Sequence, residues 1–265
     1  MEKKLKIKAL LFDLDDTLLI EQNSAKLAFL STCTLVKKKY NVSVDVFYDV
    51  IRSESRKIWY KSPARSYCVK IGISSWEGLW GSFKSVKEEA KVLSQWIDDY
   101  RMHSWNQSLI EVGIENPQFA GELSQHFQKE RRKLHTVYPD VISNLELFRK
   151  SFNLGLITNG APGVQNEKLD KSNLRSFFDV IVISGELMTK KPESIIFKEA
   201  LKRLGTKPSE VLMIGNSLNS DIQGGNIARI TTVWLNRDKK KNETDIIPDF
   251  EISSLYEIKD ILELI

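Results

Sequence analysis

Cysteine is scarce in this 265-residue sequence: Cys33 and Cys68 stand alone, far apart and with no histidine close to either. This pattern excludes a disulfide framework and offers no Cys/His spacing for a zinc site. We therefore expect two reduced, structural thiols, which favours a cytoplasmic location.

Long hydrophobic runs are also missing. No stretch of about 18 apolar residues occurs, and the N-terminus leads into a strand-like segment without a signal-peptide cleavage site. The sequence thus predicts a soluble protein with no membrane contact. The net charge of +4 is small, and the basic runs at 37–39 and 239–241 are typical of solvated surface, so we expect no nucleic-acid partner.

Short apolar runs typical of buried strands recur along the chain, and the later ones follow segments of helical character. One such helix, Ile195–Leu204, is predicted to end at Gly205. Strands that alternate with helices predict an α/β fold with a Rossmann-like parallel sheet. The runs are Ile7–Phe12, Leu154–Ile157, Val180–Ile183, Val211–Ile214 and Thr231–Leu235.

The interval between the first and second runs is far longer than the dozen or so residues that a crossover needs. It is mostly helical in pattern, which predicts an inserted α-helical domain at 21–135 and a core formed by 1–20 and 136–265. The insert carries 18 Lys and Arg against 13 Asp and Glu, so its positive charge favours anionic ligands. The predicted helices are Ser24–Lys39, Val44–Tyr60, Ser85–Tyr100 and Phe119–Leu134.

The insert also holds five of the six tryptophans, which we expect in its small core. The glycine-containing stretch 65–80 mixes basic and aromatic side chains, and we interpret it as a loop that faces the substrate.

Ligands of an open parallel sheet bind beyond the carboxyl ends of its strands, so polar residues directly after the apolar runs are the candidates for a site. These residues are Asp13 and Asp15 after the first run, Thr158 and Asn159 after the second, Ser184 and later Lys191 after the third, and Asn216 with Asp221 after the fourth.

Asp13 and Asp15 are two residues apart, so an extended backbone projects both carboxylates to one side. One can attack as a nucleophile while the other protonates the leaving group and then activates water. Attack on a phosphate requires cations, and Mg²⁺ with a lysine and a hydroxyl is the usual solution. Composition alone does not decide whether Lys190 or Lys191 enters the site.

Four segments together resemble the motifs of the haloacid dehalogenase (HAD) superfamily, in the family's order and over nearly the whole chain. They are Asp13-Leu14-Asp15-Asp16-Thr17, Thr158-Asn159-Gly160, Lys191-Pro192, and Gly215-Asn216 through Asp221. The helical insert stands where that family's type 1 cap is found.

This resemblance implies that Asp13 forms an aspartyl-phosphate and that Asp15 is the general acid and base. It implies phosphate binding by Thr158, Asn159 and Lys191, which makes Lys191 the lysine of the site. The implied Mg²⁺ ligands are Asp13, Asp15 through its backbone carbonyl, Asn216 and Asp221, and Asp16 and Thr17 support the turn.

The family more commonly has aspartate where this sequence has Asn216. An amide oxygen can still bind Mg²⁺, but one negative charge is lost, so we expect weaker metal affinity.

The resulting prediction is a Mg²⁺-dependent phosphatase that acts on a small phosphorylated metabolite, a sugar phosphate or nucleotide. A metal-free dehalogenase does not need Asp15 and Asp221, and an aspartate-phosphorylated receiver domain is about half this length. A phosphosugar mutase and a catalytically silent phosphate-binding protein remain alternatives, the latter because Asn216 could mark decay.

Overall fold

The computed structural model describes residues 6–83 and 88–265. These residues divide into two compact units. The first, here called the α/β unit, contains residues 6–20, Thr136–Asn159 and Glu167–Ile265, and the second, the helical unit, contains Glu21–His135 and Gly160–Asn166. The segment 160–166 was predicted to belong to the core, but its contacts group it with the helical unit.

The sheet of the α/β unit has six strands, all parallel, in the order β3-β2-β1-β4-β5-β6. The predicted α/β class with a Rossmann-like parallel sheet is confirmed, and the sixth strand is one that no apolar run predicted. The strands are β1 Ala9–Phe12, β2 Asn153–Thr158, β3 Val180–Ile183, β4 Val211–Gly215, β5 Thr231–Leu235 and β6 Phe250–Ile252.

Strand β1 lies in the middle of the sheet, between β2 and β4. Its residues alternate between two cores, because successive side chains of a strand point to opposite faces. Leu10 and Phe12 belong to one buried cluster, and Ala9 and Leu11 belong to the other. Burial on both faces explains why these strands read as continuous apolar runs.

Within residues 21–83 and 88–135 the helical unit contains six helices, and each of the four predicted helices is present. Three of them keep their predicted bounds to within three residues, whereas the helix Glu88–Glu111 extends eleven residues beyond the predicted end at Tyr100. The start of the predicted helix at Ser85 lies outside the described residues. The helices are α1 Glu21–Tyr40, α2 Val44–Tyr60, α3 Arg65–Ile71, α4 Ser75–Gly78, α5 Glu88–Glu111 and α6 Pro117–Arg131.

The stretch 65–80, predicted as a loop, instead forms helices α3 and α4. Gly72 ends α3 with a left-handed φ of 83°, a conformation that glycine adopts without steric cost. Ser74 then begins α4, and its N–H and hydroxyl both donate to Glu77 Oε2, at 2.9 and 2.8 Å. Glycine and polar residues in this stretch are therefore helix caps rather than signs of a loop.

Aromatic side chains fill the core of the helical unit, as expected for three of its tryptophans. Trp59, Trp80 and Trp105 are buried, whereas Trp76 and Trp96 are partly exposed. Cys33 and Cys68 are also buried there and unpaired.

The remaining helices are α7 Val141–Phe148, α8 Pro162–Lys171, α9 Ser184–Leu187, α10 Ser194–Leu204, α11 Gln223–Ile227 and α12 Ile258–Leu264. Single 3₁₀ turns occur at Arg175–Phe177, Pro208–Glu210 and Leu255–Glu257, and a π-helical turn occurs at Leu218–Ile222. In the part of the chain that the structure describes, no helix is long and apolar enough to cross a membrane.

Candidate active site

Asp13 follows β1 directly, and its backbone and side chain are both held in place. Its N–H donates to Ile214 O of the neighbouring strand at 3.0 Å. One carboxylate oxygen, Oδ1, lies 2.5 Å from Lys191 Nζ, and the other, Oδ2, accepts from the Thr17 hydroxyl at 2.9 Å. With 6% of its surface exposed, Asp13 is a buried carboxylate with a fixed orientation.

Lys191 supplies the ammonium group beside Asp13, on the connection between β3 and α10. Its Nζ contacts Asp13 Oδ1, lies 2.8 Å from Asp221 Oδ1, and donates to Ile157 O at 3.0 Å. Three acceptors match the three N–H donors of an ammonium group. Burial by itself lowers the pKa of Lys191, but the two carboxylates outweigh burial and raise it, so Lys191 is a cation here.

Asp221 is fully buried, in the π-helical turn that follows β4. Its Oδ2 accepts from Ser217 N–H at 3.0 Å, and its Oδ1 lies 3.2 Å from Ser220 Oγ. Gly215 makes this position possible, because a Cβ at residue 215 would lie only 2.3 Å from Asp221 Oδ2. The glycine of the fourth motif therefore provides space for a carboxylate rather than a special backbone conformation.

Thr17 connects the loop after β1 to the loop after β4. Its hydroxyl lies 3.1 Å from Asn216 Oδ1 and accepts from Asn216 N–H at 3.1 Å, in addition to its contact with Asp13. The hydroxyl has one proton, so it donates to one of the two side-chain oxygens at a time. Trp234 Nε1 donates to Asn216 O at 3.0 Å and orients the same loop.

The turn that carries Thr17 includes Asp16 with a left-handed φ of 58°. Asp16 N–H donates to Leu19 O at 2.8 Å, which closes the turn. Aspartate is among the residues that tolerate this conformation best.

Thr158 ends β2, next to β1 in the sheet, and Asn159 follows it directly. Thr158 is buried. The Asn159 side chain accepts from Lys191 N–H at 2.8 Å and donates to Lys191 O at 3.2 Å. These two bonds hold the backbone that carries the ammonium group. The phosphate contact predicted for Asn159 stays a prediction, and its observed contacts are those of a positioning residue.

The Asp15 carboxylate pairs with a different lysine side chain from the one that contacts Asp13. Both of its carboxylate oxygens accept from Lys168 Nζ, at 3.0 and 2.9 Å, and the Lys168 side chain is fully buried. Lys168 lies on α8 and was not predicted as a site residue. A signal was present in the sequence, because Lys168 is four residues after the apolar Val164 and therefore on the same helix face.

The negative charge around Asp13 exceeds what Lys191 compensates. Burial and the nearby Asp221 raise the pKa of Asp13 to about 7, although Lys191 acts in the opposite direction. Two buried carboxylates that share one ammonium create a place where a further cation is stabilised.

The predicted Mg²⁺ ligands fit such a cation by their chemistry. Within residues 6–83 and 88–265, no three His, Cys, Asp or Glu side chains are grouped to hold a metal by themselves. The predicted set instead combines the carboxylates of Asp13 and Asp221 with the Asn216 amide oxygen and the Asp15 backbone carbonyl. All are oxygen donors of the kind that Mg²⁺ prefers, and the Lys191 and Thr17 contacts bring the three side chains together.

A parallel α/β unit with paired aspartates after its central strand, and a lysine and a third aspartate beside them, defines a hydrolase of the HAD type. The family model "Haloacid dehalogenase-like hydrolase" matches residues 10–235, and the chain belongs to this family.

Relatives extend the similarity over the whole chain. Phosphoserine phosphatase from Thermus thermophilus is 31% identical over 253 residues, 95% of this chain and 98% of the relative. N-acylneuraminate-9-phosphatase from Rattus norvegicus is 30% identical over 264 residues, 98% of this chain and 95% of the relative. The magnesium-bound structure of YfnB from Bacillus subtilis is similar with a TM-score of 0.65 and 25% identity, covering 97% of this chain and 99% of that one. These similarities confirm the predicted superfamily and the predicted enzyme class, a phosphatase-type hydrolase.

Proposed function

We propose that this chain is a Mg²⁺-dependent phosphomonoester hydrolase in which Asp13 is the nucleophile. The observation that carries the proposal is the fixed, buried carboxylate of Asp13, held between the Lys191 ammonium and the Thr17 hydroxyl. A nucleophile held in one orientation beside a cation is suited to attack a phosphate, because positioning and charge stabilisation are the main parts of phosphoryl-transfer catalysis.

In the proposed first step, a carboxylate oxygen of Asp13 attacks phosphorus while the bond from phosphorus to the leaving oxygen breaks. The leaving oxygen takes a proton from Asp15, and an aspartyl-phosphate is formed on Asp13. In the second step water attacks the same phosphorus, the bond to Asp13 breaks, and Asp15 takes the proton of the water. Thr158 and Lys191 hold the oxygens of the transferring phosphoryl group.

Mg²⁺, when bound, offsets the repulsion between the Asp13 carboxylate and the phosphate dianion. Asp13, Asn216, Asp221 and the backbone carbonyl of Asp15 are the groups that would hold it. The magnesium-bound relative YfnB supports this part of the proposal.

We assign to the helical unit the role of a cap that admits substrate when it opens and excludes water when it closes. Support comes from the α/β unit, where the two chain connections to residues 21–135 lie side by side. Ile20 N–H donates to Thr136 O at 2.8 Å, and Tyr138 N–H donates to Leu18 O at 3.0 Å. Adjacent connections suit a hinge. Ile20→Pro removes the N–H that pairs the two connections and should change kcat and KM together, and unchanged kinetics of the folded variant would contradict the gating role.

The proposed substrate is a small phosphorylated metabolite, such as a sugar phosphate or nucleotide. The relatives named for phosphoserine and N-acylneuraminate-9-phosphate support small phosphomonoesters as a class. A screen of phosphorylated metabolites, with both of these compounds included, identifies the substrate.

The test is hydrolysis of p-nitrophenyl phosphate by the purified chain with Mg²⁺. We expect phosphate release that stops with chelator and in Asp13→Asn, with phosphate trapped on Asp13 in rapidly quenched wild-type enzyme. Asp98→Asn is the matched control, because Asp98 is exposed on α5 and should leave turnover unchanged. Folded protein without activity above background would support the silent phosphate-binding alternative. A sugar phosphate of the metabolite screen that is converted to a phosphorylated isomer, without release of free phosphate, would support a mutase.

A further inference from the structure

Lys168 is a buried cation that the proposed reaction does not yet use. Its side chain has no exposed surface, and its Nζ bonds both oxygens of Asp15, at 3.0 and 2.9 Å. A buried lysine is costly unless it is paired, so this contact requires an explanation. The Asp15 side chain, in contrast, is 26% exposed.

The two bonds constrain Asp15 in a way that a single bond does not. A carboxylate held at one oxygen can pivot about that oxygen, whereas near-equal contacts at both oxygens keep the carboxyl group facing the ammonium. The lysine is itself anchored in α8, where its backbone O accepts from Ser172 N–H at 3.1 Å. A rigid helix thus determines where the Asp15 carboxyl group points.

We propose that Lys168 is a positioning residue that holds the Asp15 carboxyl group in the orientation for proton transfer. The inference rests on the proposed function, in which Asp15 gives its proton to the leaving oxygen and later takes one from water. Lys168 forms no bond to the substrate and transfers no proton in this scheme. It acts only through Asp15, and this distinguishes it from Lys191, which contacts the nucleophile.

The proposal predicts a dependence on the leaving group. Benzyl phosphate releases a strongly basic alkoxide and needs a proton from Asp15 during phosphorylation, whereas p-nitrophenyl phosphate releases a stable phenolate and does not. The value of kcat/KM reports the steps up to phosphorylation of Asp13. Misplacing Asp15 should therefore lower kcat/KM for benzyl phosphate much more than for p-nitrophenyl phosphate.

The experiment compares Lys168→Met with wild type on these two substrates, which are similar in size. Methionine is an unbranched apolar side chain that retains most of the buried volume. We expect kcat/KM for benzyl phosphate to fall about 10–100-fold and that for p-nitrophenyl phosphate to fall less than about threefold. Lys171→Met is the matched control, because Lys171 lies on the same helix but is exposed, and both values should stay at the wild-type level.

A double-mutant cycle with Asp15→Asn makes the result decisive. If Lys168 works through Asp15, adding Lys168→Met to Asp15→Asn should cost less than about twofold more. Equal losses on both substrates, or losses that multiply in the double variant, would overturn the inference and indicate a structural role. Lys168→Gln, checked by circular dichroism, replaces the methionine variant if that one does not fold.

If the proposed function itself is wrong, the same experiments give a different set of results. In that case the wild-type chain hydrolyses neither substrate, and Asp15→Asn changes nothing. An active wild type with a leaving-group effect in Asp15→Asn, but none in Lys168→Met, overturns the role of Lys168 alone.

Discussion

Gly215→Ala tests whether close packing against Asp221 keeps the proposed metal site in shape. The added Cβ would lie 2.3 Å from Asp221 Oδ2, 2.4 Å from its Cγ and 2.5 Å from its Cβ. Real contacts of this kind stay above 3.0 Å, so Asp221 must move by about 0.7 Å or more. Rotation of the side chain is not enough, because its own Cβ is among the overlapping atoms, and the π-helical turn has to shift as well.

The expected cost has two parts. Overpacking a well-filled interior costs about 1–3 kcal/mol. Displacement of Asp221 also weakens its 2.8 Å contact with Lys191, which leaves a buried charge less well paired. We expect the free energy of unfolding to fall by about 2–4 kcal/mol in total, and the Mg²⁺ concentration for half-maximal activity to rise.

Denaturant unfolding followed by far-UV circular dichroism measures the first effect, and a Mg²⁺ titration of p-nitrophenyl phosphate hydrolysis measures the second. Tryptophan fluorescence is less suitable, because five of the six tryptophans lie between residues 59 and 105 and report on the helical unit. Gly121→Ala is the control, since its nearest neighbour beyond the helix is Met102 at 3.7 Å. That variant should be as stable as wild type or up to about 1 kcal/mol more stable. Wild-type stability and Mg²⁺ requirement in Gly215→Ala would refute the packing argument.

Asn216→Asp should lower the Mg²⁺ concentration for half activity by up to about tenfold, because it restores a charged ligand; an unchanged or raised requirement in the same titration would count against direct ligation. Arg237→Met should cost about 2–4 kcal/mol near pH 6, because Arg237 donates to Asp140 Oδ2 at 2.9 Å and to Thr17 O at 3.0 Å. Burial raises the pKa of Asp140, but its bonds, led by that to Arg237, outweigh burial and lower the pKa below its ordinary value. This stabilisation is therefore present above the unfolded-state pKa and is lost as pH falls through the folded-state pKa. Denaturant unfolding at pH 6 and pH 3 should therefore show a smaller difference between Arg237→Met and wild type at the lower pH, and a constant difference would contradict the coupling.

Buried parallel strands were the part of the fold that the sequence predicted best. Strands β1 to β5 are mostly buried, so each contains a short apolar run. Strand β6, Phe250–Ile252, is a short edge strand whose middle residue, Glu251, is exposed, and it produced no such run. The position of β1 between β2 and β4 was not predicted, because strand order depends on long-range pairing that local patterns do not encode.

Some residues of the candidate site were predicted and others were not, again because sequence patterns report local structure rather than long-range contacts. Each predicted residue follows a strand or lies on the connection after one, and the carboxyl ends of neighbouring parallel strands bring such residues together. Lys168 comes instead from the last turn of α8, where the charged neighbours Glu167 and Asp170 are typical of a solvated face and only the spacing from Val164 indicates the buried one. The two bonds from Asn159 to the backbone of Lys191 could not be predicted, because a motif identifies a residue type but not which atoms its side chain contacts.

The roles proposed for Asp13 and Asp15 follow from their surroundings more than from their spacing. Both are aspartates on one short segment, yet each has its own buried lysine, Lys191 for Asp13 and Lys168 for Asp15. The Asp13 side chain is 9% exposed, and each of its oxygens has a separate partner, which suits an atom that must form a bond at one fixed place. The Asp15 side chain is 26% exposed, which suits a group that must meet both a leaving oxygen and an incoming water. The two-residue spacing therefore brings the pair to one site, and the two lysines give each carboxylate the surroundings that suit its proposed role.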